Sequence, residues 1–213
     1  MPCNGIAVQT AETVVDLEEH FVEKENRERL AAWLLEQGVP VGHWSQTPAG
    51  TWVLAMGNVS VSLRFSGRNI ESRGARRYRK MLDAADWQTQ LYAGQLAQVQ
   101  ILGAVQALGL TPQNLRQDAN GGIAFTINAG ITVKVEVDRL GRLELITQDG
   151  DFDTGKTALE TLTKALSANG AQVEPVGEVE THNHEVMMQQ TGQYTATVFV
   201  NQAVTESGPS HTH

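Results

Sequence analysis

Val59-Ser60-Val61-Ser62-Leu63-Arg64-Phe65 and Ile131-Thr132-Val133-Lys134-Val135-Glu136-Val137 alternate apolar and polar residues without a break. Successive side chains of an extended chain point to opposite faces, so each stretch predicts a strand with one buried and one solvated face. The elements upstream of the two strands also match. Leu30, Trp33 and Leu34 sit at helical spacing and lead to Gly38, as Leu102, Val105 and Leu108 lead to Gly109. Gly50 and Gly121 follow, each 12 residues after the glycine that closes its helix. Thr51 to Met56 and a Gly57-Asn58 turn then precede the first quoted strand. Ile123 to Ile127 and an Asn128-Ala129-Gly130 turn precede the second.

The residue types suit these places. Gly38 and Gly109 predict left-handed helix caps, and the Gly-Asn and Asn-Ala-Gly turns tolerate the positive φ that tight hairpins require. Duplication of a helix-plus-hairpin unit is the simplest origin, and chance similarity between two amphipathic segments is the alternative. A third, looser unit reads from Leu140. Leu140 to Thr147 predicts a strand joined to its predecessor through the Asp138 to Gly141 turn. Thr154 to Ala168 predicts a helix with Leu159, Leu162 and Leu166 on one face, closed by Gly170. Val173 to Val179 and Tyr194 to Val200 read as the last strands, and the tail from Thr205 is polar.

Antiparallel hairpins with helices laid on one face of the sheet point to an α+β class. On this reading residues 1–85 hold the first unit with a basic connector, 86–180 the second and third units, and 181–213 a final strand and a loose tail.

Hydrophobic residues make up 41% of the chain and charged residues 19%, enough apolar surface for a core. A net charge of -8 opposes a role in which the whole surface coats nucleic acid or anionic lipid. Cys3 is the single cysteine and Met1 to Thr13 lacks the pattern of a signal peptide, which points to a reducing, cytoplasmic setting. No window approaches the roughly 18 consecutive apolar residues of a membrane span, so insertion in a membrane is not expected.

Gly150-Asp151-Phe152-Asp153-Thr154-Gly155-Lys156-Thr157 matches the phosphate-loop pattern G-x-x-x-x-G-K-[ST] at every position, between a predicted strand and a predicted helix. Three features oppose nucleotide binding. Asp149, Asp151 and Asp153 would repel a polyphosphate beside a single lysine. The incoming strand belongs to an antiparallel meander, whereas a phosphate-loop domain needs a parallel sheet. No later segment reads as an apolar strand ending in Asp to hold the metal; Thr195 to Val200 ends in Asn201. The simpler account makes Thr154 a helix N-cap and Gly155-Lys156 incidental.

Arg64, Arg68, Arg73, Arg76, Arg77, Arg79 and Lys80 face one acid, Glu71, between positions 64 and 80, a local charge of +6 that leaves -14 on the rest. The segment suits an acidic partner or an RNA backbone, with Tyr78 available for stacking. The alternative is a solvated connector whose charges pair with the acidic opening from Glu12 to Glu28. No recognised nucleic-acid motif accompanies it, so nucleic acid is the less expected partner.

His182 and His184 alternate along a polar stretch, with Glu180 and Glu185 nearby, and His211 and His213 end the chain. Unligated surface histidines account for them better than a metal site. Cys3 and the pair Asp83 and Asp86 do not assemble with a base or nucleophile into an active site.

Leu91-Tyr92 through Gly109, followed by Asp118 to Ile127, resembles the closing helix and hairpin of a plastid-encoded conserved family. Val133 to Gly170, with its Asp138 to Gly141 turn and Gly155-Lys156, resembles a short hairpin-plus-helix companion family also found in cyanobacteria. Where the companion family carries a cysteine shortly after Gly-Lys, this chain has Thr157-Ala158. Neither family has a known catalytic residue, and both often accompany genes for an ATP-driven remodelling enzyme, so the resemblance implies an accessory role.

These readings predict a non-enzymatic accessory or adaptor protein without cofactor or metal. It would engage a protein partner through sheet edges or through the basic residues 64 to 80. Nucleotide binding at Gly150 to Thr157 and RNA binding at the basic segment are the alternatives.

Overall fold

The computed structural model describes residues 5–148, 152–171, 180–182 and 193–197. The elements run β1 (Ile6–Glu12), α1 (Leu17–His20), α2 (Lys24–Glu36), β2 (Trp44–Gln46), β3 (Trp52–Ala55), β4 (Val61–Ser66), β5 (Asn69–Ala75) and α3 (Arg79–Ala107). They continue with β6 (Gln113–Gln117), β7 (Ile123–Asn128), β8 (Thr132–Val137), β9 (Leu143–Thr147), α4 (Phe152–Ala168), β10 (Glu180–His182) and β11 (Gln193–Thr197). The fold is α+β. Its first sheet has the order β1-β5-β4-β3-β2 and its second β10-β11-β9-β8-β7-β6. Every pairing among the described residues is antiparallel.

The two quoted stretches are β4 and β8, the central strands of their sheets. Val61, Leu63 and Phe65 of β4 and Val133, Val135 and Val137 of β8 are buried, as the alternation requires. The long helices α2, α3 and α4 end alike. The residue after the closing glycine donates its N–H five positions back: Val39 to the Leu34 carbonyl at 2.8 Å, Leu110 to Val105 at 3.2 Å, Ala171 to Leu166 at 3.1 Å. Gly38, Gly109 and Gly170 hold φ of 76°, 73° and 86° at this position, the left-handed conformation of a Schellman cap. The apolar residue beyond each glycine packs back into the core and clips the helix end to it.

Two units form rather than three. What reads as a third unit is the closing half of the second, because β9 is the fourth strand of the second sheet and α4 packs with it in one apolar core. The boundary expected at 85/86 falls inside α3, which runs 29 residues, about 43 Å, without a proline. Its first half joins the core of the first sheet through Leu82, Ala85, Tyr92, Ala93 and Ala97. One turn further, Ile101, Ala104 and Val105 join the core of the second. Residues 64–80 are no connector either: they form the second half of β4, all of β5, a 3₁₀ turn at Arg76–Tyr78 and the start of α3.

The units also touch where the β8–β9 turn meets the middle of α3. A Cβ on Gly94 would collide with the backbone carbonyl of Arg139. One on Gly141 would lie 2.5 Å from Ala97 Cβ and 2.6 Å from Val14 Cγ2. The buried Gln98 amide donates to the Gly121 and Asp138 carbonyls, both at 3.0 Å. Buried polar groups need partners, and here one side chain satisfies two carbonyls of the second unit from the helix of the first.

β1 and β5 escape the sequence reading for one reason. The inward positions of β5 are Ile70, Ser72 and Gly74, and those of β1 are Ala7, Gln9 and Ala11. Small or polar residues let α3 cross close beneath them, so the apolar signature of a buried face is weak. The predicted strand Val173 to Val179 and the tail from Thr205 lie outside the described residues. Of Tyr194 to Val200, residues 194–197 belong to β11.

Candidate functional site

In antiparallel pairs, successive residues send their backbone groups alternately to one neighbour and to the other. The Arg76 N–H donates to the Gly5 carbonyl at 2.9 Å and the Thr13 N–H to the Arg68 carbonyl at 2.8 Å, bracketing β1. The odd-numbered residues between them therefore face β5. Ile6, Val8, Thr10 and Glu12 turn their N–H and C=O groups to the open side. The same four residues carry their side chains on the outer face, where Ile6 is 58% and Val8 53% exposed.

The other sheet edges among the described residues are short or interrupted. β2 and β10 have three residues each. β6 follows Pro112, is exposed throughout, shifts register between Gln113 and Arg116, and holds Asn114 at φ 54°. Bulges, prolines and shortness are how proteins stop an edge from recruiting another strand. β1 has seven regular residues and no lysine or proline. It is the open edge.

The basic segment is divided by the fold. Arg64 lies on the outer face of β4, 3.5 Å from Glu71 on β5, which offsets its charge. Arg68 sits in the β4–β5 turn, at the opposite end of β5 from Arg76. Arg73 is beside Val8 in register on the outer face. Arg76, Arg77, Arg79 and Lys80 gather at the corner where β5 passes into α3, beside the first residues of β1. Arg79 reaches Asp83 at 3.9 Å, and the Arg77 guanidinium covers the Tyr78 ring at 4.8 Å. Among the described residues, Arg73, Arg76, Arg77 and Lys80 form no ion pair. The acidic opening does touch the segment, since the Glu18 carboxylate accepts from the Gly67 N–H at 2.7 Å.

Below the open edge lies the first part of α3. Gln9 Nε2 donates to Asp83 at 2.8 Å, tying β1 to the helix. Arg79, Asp83 and Trp87 follow at four-residue spacing, and Trp87 is 37% exposed beneath the Arg139 guanidinium at 4.9 Å. The sequence reading missed Ile6, Val8 and Trp87. The signal for β1 was present, as three β-branched residues at every second position from Ile6 to Thr10.

The phosphate-loop match takes another shape. β9 is antiparallel to both its neighbours, β8 and β11. α4 begins at Phe152, two residues before the Thr154 expected as its cap, so Gly155 is a buried helical residue with Lys156 and Thr157 exposed beyond it. Amides past the first turn of a helix are spent on intrahelical bonds and cannot cradle an anion. Asp149 to Asp151 lie outside the described residues.

Other polar groups are dispersed. Burial lowers the His20 pKa, with Arg29 adding to the effect, and the ring lies 3.4 Å from the Tyr92 hydroxyl. Burial raises the Asp86 carboxyl from 3.8 to about 6, a hydrogen bond from Gln90 opposes the shift, and Asp83 adds to it. Burial also raises Glu144, helped by its cross-strand neighbour Glu136 and opposed by Lys134. It borders a concavity of about 560 Å³ that Arg116 and Arg142 also line. Among the described residues, no three His, Cys, Asp or Glu side chains gather as metal ligands. His182 is on β10, while His184, His211, His213, Glu185 and Cys3 lie outside the described residues. No described helix is long and apolar enough to cross a membrane.

The class defined by this geometry is an α+β protein of two sheets strung on a shared helix. No protein-family model, curated protein or solved structure matches the chain.

Proposed function

We propose that this chain is a non-enzymatic accessory protein that docks a protein partner on the first sheet, at the open β1 edge and the adjoining basic corner. The observation that carries the reading is the coincidence of the two. The one long, regular, unprotected edge among the described residues starts beside the corner formed by Arg76, Arg77 and Lys80. Exposed apolar side chains supply contact area, and cations without carboxylate partners supply selectivity for an acidic surface. A cytoplasmic setting and an accessory role beside an ATP-driven enzyme accord with the single cysteine and with the family resemblance.

The test is affinity capture from the native cell with the wild-type chain and with Arg73, Arg76 and Arg77 all changed to Glu. A partner retained by wild type, resistant to nuclease and lost by the triple variant is the expected result. Retention that disappears with nuclease would transfer the site to RNA. The full match at Gly150 to Thr157 keeps nucleotide binding as the second reading. Saturable Mg-ATP binding abolished by Lys156→Ala would establish it in place of the adaptor.

A further inference from the structure

Resting on that reading, we infer that the partner binds as an extended acidic segment that adds to β1 as a sixth strand of the first sheet. The backbone of β1 is set for it: Ile6, Val8, Thr10 and Glu12 present N–H and C=O groups at strand spacing on the open side. An added strand would bring its outward side chains beside Ile6 and Val8. Its inward side chains would come over the α3 face at Arg79, Asp83 and Trp87, to which Gln9 ties the edge.

Charge selects the occupant. The corner at the Ile6 end carries Arg73, Arg76, Arg77 and Lys80, while the far end carries Glu12 and Asp83 is held by Gln9 and Arg79. An acidic strand gains beside the basic corner at the first end, whereas a basic one is repelled there. A second copy of this chain, paired edge to edge through β1, would set basic corners near one another or against Glu12, according to register. The observations favour a different acidic chain.

The probe is a synthetic peptide of alternating Glu and Val with the length of β1, labelled for fluorescence anisotropy and titrated with the full chain. An alternating Lys and Val peptide is the control. Saturable binding of the acidic peptide alone, weakened by salt, is expected. Val8→Pro removes an N–H that faces the open side and no bond of the β1–β5 ladder, so the fold survives while affinity falls about tenfold or more. Circular dichroism verifies the fold, and Val8→Thr, which keeps the N–H, retains binding. Equal binding by Val8→Pro, or none by wild type, overturns strand addition. Self-association of the chain that Val8→Pro abolishes would name a second copy as occupant and overturn it too. Neither result touches the adaptor reading, which affinity capture with the triple variant tests separately.

Discussion

The two units share a core plan and differ at their edges. In both, a long helix closed by a Schellman glycine leads into a four-stranded meander, β2 to β5 in one and β6 to β9 in the other, that packs on the next helix. The last strand of each meander takes an extra strand. β5 receives β1 from upstream of the unit, whereas β9 receives β11 from downstream. The first unit is thus left with a regular, open outer strand and a basic corner. The second has β6 irregular at one edge and the three-residue β10 at the other. Shared features carry packing, and the features that differ carry the surface on which partners can be told apart.

The sharpest way to break the comparison is to separate the units where they touch. Gly94→Ala drives a Cβ into the Arg139 carbonyl, backbone against backbone, and a destabilisation above about 4 kcal/mol is expected. Trp33, Trp44 and Trp52 pack on the core of the first unit and Trp87 lies under Arg139 of the second, so fluorescence follows the first unit and its contact with the second while circular dichroism follows both. Unchanged stability with coincident transitions would mean that this contact does not couple the units.

Echoed core positions sharpen it next. Phe65 is fully buried, with ring centroids 4.8 Å from Phe21 and 5.6 Å from Trp44, and Phe65→Ala should cost about 3–5 kcal/mol. Its counterpart Val137→Ala, equally buried but smaller, should cost roughly half as much by urea denaturation.

Acidity separates the units differently. Because the Asp86 pKa is higher folded than unfolded, the native state holds the extra proton between about pH 4 and 6, and stability falls as pH rises through that window. Asp86→Asn should therefore match wild type below about pH 4 and exceed it by roughly 2–3 kcal/mol above pH 6. Parallel stability curves across that range would place the carboxyl in water instead. The smallest effect concerns the shared caps. Gly38→Ala and Gly109→Ala each force a side chain into the left-handed region with open space around it, at about 1 kcal/mol. Costs that differ widely between the two would show that the caps are not equivalent.

Much of the repeat was legible because its signals are local. Gly38 to Gly50 and Gly109 to Gly121 mark helix end and hairpin start from within a few residues, and the alternation in β4 and β8 announces its own buried face. The phosphate-loop match shows the limit of such reading. Its residues are in order, yet where the helix starts depends on how α4 packs against the second sheet.

The sequence alone determined the α+β class, the caps, the turns and the central strands, since each depends on neighbours in the chain and on one apolar face. Tertiary structure decided that β1 pairs with β5, that α3 serves both cores, and that Arg73, Arg76, Arg77 and Lys80 form no ion pair among the described residues, beside an open edge. Those outcomes join residues dozens of positions apart through backbone hydrogen bonds and close helix crossings. Such contacts favour small and polar side chains, which leave little periodic trace.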